Sequence, residues 1–163
     1  MSSIASIFRA SWIVGVLALL MAGSIGLAPA RADSTKKTVD SIAEMLTAGK
    51  FKAAKNGDTF VMNIERKGGS IQVILVAMDD QIRFIAPVAT ADKVVKSPKL
   101  AGVLLDANAK DPVFKVVFDP KGNLVLLYDI FEKMVDADGV KKIVFDIADS
   151  TADFYRSADF IKK

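Results

Sequence analysis

The chain has 163 residues, with 22 lysines and arginines against 19 aspartates and glutamates, and 52% of its residues are hydrophobic. It contains neither cysteine nor histidine. The length is that of one domain. The missing residue types exclude a disulfide framework, a cysteine or histidine metal site, and any nucleophile activated by histidine.

Residues 1–32 have the pattern of a secretory signal peptide. Arg9 supplies the positive charge, residues 12–27 form a nearly unbroken apolar run, and Ala30-Arg31-Ala32 resembles the end of a cleavage site. The run is shorter than the ~20 residues that a membrane-spanning helix needs. We therefore expect cleavage before Asp33 and a periplasmic or secreted bacterial protein. Its only membrane contact would be made by the signal peptide before cleavage.

Removal of these 32 residues from 163 leaves 131 residues. Arg9 and Arg31 are lost with the signal, so 20 basic and 19 acidic residues remain. Charges of both signs are mixed along the chain, which argues against a nucleic-acid partner. Residues 33–163 are predicted to form a single domain whose stability rests on a hydrophobic core alone.

The first half of this domain is predicted to hold one helix and a three-stranded meander. Apolar residues at helical spacing predict a helix over 38–48, with Gly49 as its stop. Strands are predicted over 58–66, 71–78 and 81–88, joined by turns at 67–70 and 79–80. Pro87 indicates either a strand end or a sheet edge.

The second half is predicted to hold two helices around a hairpin. Ser97-Pro98 is typical of a helix start, and the helix should extend to about residue 108. Residues 112–119 and 124–131 form a hairpin through a turn at 119–123. Asp138 or a neighbour caps a long closing helix. The predicted order is α-β-β-β-α-β-β-α, an α+β domain with a five-stranded antiparallel sheet and three helices.

This order resembles the YbjN-like and type III secretion chaperone-like superfamily. The resemblance is carried by the opening helix that ends in KF, the meander TFVMNIERKGGSIQVILVAMDDQIRFIAPVA, the middle helix SPKLAGVLLDANA, the hairpin VFKVVFDPKGNLVLLYDIF and the closing helix. It covers nearly all of the domain and rests on element order and hydrophobic pattern. The resemblance implies a non-enzymatic, protein-binding domain. Because the secretion chaperones act as dimers, it also implies that this chain could form a homodimer. Those chaperones are cytoplasmic, whereas this chain carries an export signal.

Candidate catalytic and metal sites are few. Asp136-Ala137-Asp138-Gly139 resembles the start of a calcium loop, but Lys141 and Ile147 stand where glycine and glutamate are required. Asp79-Asp80 could act with Asp129 as acid and base. Aspartate in a tight turn, however, usually serves local hydrogen bonding. We predict no enzymatic activity, no catalytic residue, no cofactor and no metal.

Five lysines are candidates for a basic patch that would bind anionic lipid or a polyanion. They are Lys93, Lys96, Lys99, Lys141 and Lys142. Asp92 and Asp106 offset part of their charge, so scattered, solvated lysines are the simpler interpretation.

Two predicted strands are apolar on both sides, although a sheet covered on one face should alternate. Residues 71–78 have Gln72 as their only polar residue, and residues 124–131 are interrupted only by Asp129. Either the middle helix covers the second face, or an apolar patch remains for a partner.

We predict that an apolar surface of the sheet and middle helix binds a protein partner or a second copy of the chain. The candidate contact residues are Val103, Leu104, Val125, Leu127 and Tyr128. The alternative is a periplasmic carrier that holds a small apolar ligand or lipid between the sheet and the helices.

Overall fold

A computed structural model describes residues 29–66, 69–97, 100–110 and 113–162. Most of the expected signal peptide therefore lies outside the described residues. The same holds for Lys67 and Gly68 of the predicted hairpin turn and for Pro98 of the predicted helix start. Within the described residues, no helix is both long and apolar enough to cross a membrane.

The first helix, α1, spans Pro29–Ala48 and begins nine residues before the predicted start. Proline suits a first helical turn because the N–H groups there have no partner within the helix. Residues 30–32, where we expect cleavage, lie in this first turn. The buried side of α1 carries Thr38, Val39, Ile42, Met45 and Leu46.

Among the described residues the sheet has six strands, so the prediction of five is wrong. The strands are β1 (Ala54–Asn56), β2 (Thr59–Arg66), β3 (Gly69–Met78), β4 (Gln81–Ala89), β5 (Lys115–Phe118) and β6 (Leu124–Phe131). All neighbours pair antiparallel in the order β1-β2-β3-β4-β6-β5. The extra strand is β1, whose three residues are all exposed. It has no apolar pattern because it joins the sheet at an edge.

Two of the predicted turns, at 79–80 and at 119–123, are confirmed; of the third, at 67–70, Gly69 and Ser70 already belong to β3. Met78 pairs with Gln81 across a two-residue turn in which Asp79 has φ +46°. At the β5–β6 turn, the Asp119 N–H donates to the carbonyl of Asn123 at 2.9 Å. Pro87 does not mark an edge: β4 is an inner strand, and Pro87 lies beside a register shift near its end.

Two further helices complete the fold, α2 (Leu100–Lys110) and α3 (Ala137–Ser157), with a 3-10 turn at Glu132–Met134. Asp136 caps α3, because its Oδ1 accepts from the N–H of Gly139 at 2.8 Å. The three helices of the described residues all pack on one face of the sheet, here called the first face. Its deepest side chains include Phe84, Leu75, Ile82, Leu124, Ile42 and Ile147.

The opposite, second face of the sheet carries a separate apolar cluster. Ile74, Val76, Ile85 and Val125 are buried there, with Val61, Met78 and Val117 packed against them. All seven belong to strands. The hypothesis that the middle helix covers this face is wrong, since α2 packs against the first-face core.

The C-terminal end of α1 is closed by a residue in the left-handed conformation. Lys50 has φ +59°, its N–H donates to Thr47 O at 3.0 Å, and the Phe51 N–H donates to Leu46 O at 2.9 Å. This is the Schellman pattern, in which glycine usually takes the place of Lys50. Gly49 has a different role, because a Cβ there would lie 3.0 Å from the Phe51 ring.

We expect Lys50→Gly to raise the free energy of unfolding by about 0.5–1 kcal/mol, because it removes the cost of a left-handed lysine. Urea denaturation measures this. Lys52→Gly is the matched control, since Lys52 has no positive φ. That variant should lose stability, because glycine only adds disorder to the unfolded chain. A stability loss in Lys50→Gly would contradict the prediction.

Candidate functional site

In the part of the chain that the structure describes, exposed apolar side chains concentrate on a helix and an edge strand that pack against each other, α2 and β5. Among the described residues, seven large hydrophobic side chains are exposed, and five of them lie between residues 95 and 118. Val103 and Leu105 lie on α2, Phe118 lies on β5, and Val113 lies just before β5. These four residues are called the α2–β5 surface.

The helix α2 is apolar on both its inner and its outer side. Leu100, Leu104 and Ala107 pack against the first-face core. Val103 borders this inner side and is 40% exposed, whereas Leu105 points away from it and is 70% exposed. A helix that is apolar all round normally lies buried. The outer side of α2 therefore has the composition of a contact surface.

Asn108 joins α2 to the backbone of β5. Its Nδ2 donates to the carbonyl of Val116 at 3.1 Å, and its Oδ1 accepts from the Val116 N–H at 2.6 Å. Because β5 is an edge strand, these groups would otherwise be open to a strand from another chain. Asn108 closes the edge at Val116, so contacts at this residue must be made by side chains.

The structure separates the five predicted contact residues. Val103 is exposed, whereas Leu104 packs into the first-face core. Tyr128 also packs on the first face, with its ring centroid 6.1 Å from that of Phe84 and 5.7 Å from that of Phe114. Val103 is thus the one of these three that a partner reaches directly.

The other two predicted residues lie on the second face. Val125 is buried and Leu127 is half-buried. The register places Leu127 in a row with Ile85, Ile74 and Val61 across four strands. At ~4.8 Å per strand, this apolar row is about 14 Å long.

An ion pair lies beside this row on the second face. Arg83 and Asp129 are register partners, and Nε and Nη2 of Arg83 donate to the two Asp129 oxygens at 2.7 and 2.8 Å. The hydrogen bond from Arg83 to Asp129 raises the pKa of Arg83 above its ordinary value. Both oxygens of Asp129 are thus engaged, and a role as general base is not favoured.

The other predicted carboxylates serve the turn between β3 and β4. The Asp79 N–H donates to Thr35 Oγ1 at 3.2 Å, and Thr38 Oγ1 donates to the Asp79 carbonyl. The Glu132 N–H donates to the Asp80 carbonyl at 2.8 Å. Across the described part of the chain, no group of three or more acidic residues is placed to hold a metal ion.

Sequence reasoning missed Leu105, Val113 and Phe118. Leu105 does not belong to the apolar stripe from which α2 was predicted. Its exposure could have been inferred from its position outside that stripe. Phe118 lies two residues after the buried Val116, on the same face of a strand that was predicted as regular. Its exposure depends on β5 being an edge strand, which the local pattern does not show.

The fold is shared with proteins of known structure. The ExsC–ExsE complex matches with a TM-score of 0.57 and 14% identity, covering 76% of this chain and 94% of the other. The Yersinia pestis type III secretion chaperone SycH, in complex with a fragment of YscM2, matches at 0.54 and 11%, with coverages of 71% and 98%. YbjN from E. coli matches at 0.51 and 13%, with coverages of 71% and 86%.

These likenesses define the fold class of the chain. The chain has the fold of the type III secretion chaperones, and the same fold is found in YbjN. The resemblance predicted from element order is thereby confirmed for the fold. No protein-family model matches the chain, and no curated protein sequence matches it either.

Proposed function

We propose that this chain is a non-enzymatic, protein-binding domain of chaperone-like or regulatory type. It would bind another polypeptide through the α2–β5 surface. The observation that supports this most is the concentration of exposed apolar side chains on α2 and beside β5. Burial of such side chains stabilises a complex by ~25 cal/mol per Å2, less the ordering costs of association.

Two further observations support the proposal. The structures that share the fold include a type III secretion chaperone in complex with a protein fragment. In addition, Asn108 blocks strand addition at Val116, which leaves side-chain packing as the mode of contact. The second-face residues Val125 and Leu127 remain candidates for a separate contact.

We also propose that the domain works outside the cytoplasm. The support is the sequence of residues 1–32, with its charged start, apolar run and Ala30-Arg31-Ala32. Cleavage before Asp33 would shorten α1 by its first four residues and leave the buried residues from Thr38 onward in place.

Site-specific cross-linking in cells tests both proposals. A photo-reactive residue at position 105 should cross-link to the same polypeptide as one at position 118. The cross-linked complex should be recovered from the periplasmic fraction, and this chain should begin at Asp33 in it. We expect Leu105→Lys to reduce capture by about tenfold, which corresponds to ~1.4 kcal/mol of binding free energy.

Met134→Lys is the matched control. Met134 is 68% exposed, close to the 70% of Leu105, but it lies in the 3-10 turn away from α2. Equal losses in the two variants would count against the α2–β5 surface. Cross-links only to a second copy would make it a homodimer surface, and a copurifying lipid without any protein would favour the carrier alternative.

A further inference from the structure

An open cleft of about 450 Å3 lies where the end of α1, strand β2 and helix α3 meet. Lys50 and Lys52 lie beside it at the end of α1, Arg66 at the end of β2, and Lys141 on α3. Glu65 is the one acidic residue among those that line it. The cleft therefore carries a strong excess of positive charge.

The structure regroups the lysines that the sequence suggested as a basic patch. Lys141 lines the cleft, while its neighbour Lys142 forms an ion pair with Asp146 at 2.6 Å. Lys93 and Lys96 do not line the cleft, and Lys99 lies outside the described residues. The partners of Lys141 are residues far from it in sequence.

Arg66 is held in place by an aromatic ring. Its Cζ lies 4.4 Å from the centroid of the Phe145 ring. Its Nη1 donates to the Glu65 carbonyl at 3.2 Å. Its Nε lies 2.7 Å from Asp149 Oδ1, so an ion pair holds this side of the guanidinium.

Two aromatic rings add an apolar wall to the cleft. Phe51 and Phe145 have centroids 5.7 Å apart with planes tilted by 58°. Phe51 is placed by the turn at Gly49 and Lys50 that closes α1. The left-handed Lys50 puts a cation at a position where glycine would cost less, and such local strain is found preferentially at functional sites.

The cleft is separate from the α2–β5 surface. It lies at β2, and β2 and β5 are four strand spacings apart in the sheet order. At ~4.8 Å per spacing, the separation across the sheet is about 19 Å.

We propose that this cleft binds an acidic segment of a polypeptide. Carboxylates of the segment would pair with Lys50, Lys52, Lys141 and Arg66, and an apolar side chain would pack against Phe51 and Phe145. The volume falls within the ~300–1,000 Å3 of organic-ligand sites and is too large for a single inorganic ion. The proposal rests on the proposed function, since it assigns a second contact and its charge to the bound polypeptide.

Titration with synthetic peptides tests the cleft directly. The full chain is titrated with a fluorescent peptide of alternating glutamate and leucine, and with the same peptide carrying glutamine for glutamate. The acidic peptide should bind at least tenfold more tightly. Its binding should weaken as the NaCl concentration rises from about 50 to about 500 mM, because salt screens the attraction between the charges. Amide NMR shifts should concentrate at Gly49–Lys52 and Lys141–Phe145.

The double variant Lys52→Glu/Lys141→Glu should lose at least tenfold in affinity. Lys36→Glu/Lys37→Glu, which makes the same charge change at exposed positions of α1, should lose less than twofold. Lys37 lies about 18 Å from Gly49 along the helix, which is beyond the Debye length of ~8 Å at physiological salt.

Equal losses in the two double variants, or equal binding of both peptides, would overturn the cleft proposal. So would NMR shifts at the same amides caused by phosphatidylglycerol vesicles but not by the peptide. None of these results bears on cross-linking from positions 105 and 118, so the cleft and the α2–β5 surface succeed or fail separately.

Discussion

Replacing Phe84 by alanine is expected to lower the free energy of unfolding by about 3–5 kcal/mol. Phe84 is fully buried at the centre of the first face, and its ring packs against that of Tyr128. The change leaves a cavity beneath α3 that surrounding strands cannot close. Since small domains are stable by only ~5–15 kcal/mol, much of the variant should be unfolded by mild urea. Urea denaturation followed by circular dichroism measures the loss.

Phe131→Ala is the matched control, because it removes the same side chain from the neighbouring strand. Phe131 is 41% exposed and makes its ring contact with Lys133 on the surface. Its loss should therefore cost less than about 1.5 kcal/mol, since less apolar area leaves the protein interior. Similar losses in both variants would mean that the first face is not the main core.

The order of elements followed from local sequence signals. The turns at 79–80 and 119–123 have strong local preferences, and the hairpins that they predict are present. The closing helix was predicted with a cap at Asp138 or a neighbour, and Asp136 is that cap. Such features depend on neighbours within a few residues, which is why a single sequence reveals them.

Features that depend on distant residues were missed. β1 pairs with β2, but its exposed Ala-Lys-Asn sequence has no apolar pattern and gave no signal. The apolar pattern of β3 and β6 correctly showed two apolar faces but could not say which helix covers which face. Docking of a helix on a sheet is decided by contacts far apart in sequence, and α2 joins the other helices on the first face.

The sequence alone did not show which of the five candidate contact residues are exposed. The apolar pattern of two strands led to the prediction of a contact surface of sheet and middle helix, and Val103 of α2 is exposed. Leu104 and Tyr128 were named with it, yet they pack against the first-face core. The cleft that joins Lys50, Arg66 and Lys141 brings together three separate elements, so no local pattern could show it.

Asn108→Leu is expected to lower the free energy of unfolding by about 2–4 kcal/mol, because two backbone groups of Val116 lose their partner. Leucine keeps the volume of the side chain but offers neither donor nor acceptor. Val116 is itself buried, so water replaces the lost hydrogen bonds only in part. Urea denaturation measures the loss, and Asn108→Asp should lose less, because a carboxylate still accepts from the Val116 N–H.

The same substitution should also change how the chain associates. With Asn108 replaced, the N–H and carbonyl of Val116 become available at the edge of β5, next to the apolar side chain of Phe118. An open, apolar strand edge is a template for pairing with another chain. We therefore expect sedimentation velocity to show self-association in Asn108→Leu at concentrations where Asn108→Asp and the unchanged chain sediment alike. Identical sedimentation of all three would mean that Asn108 stabilises the fold without guarding the edge, and strand addition at β5 would then have to be reconsidered as the mode of partner binding.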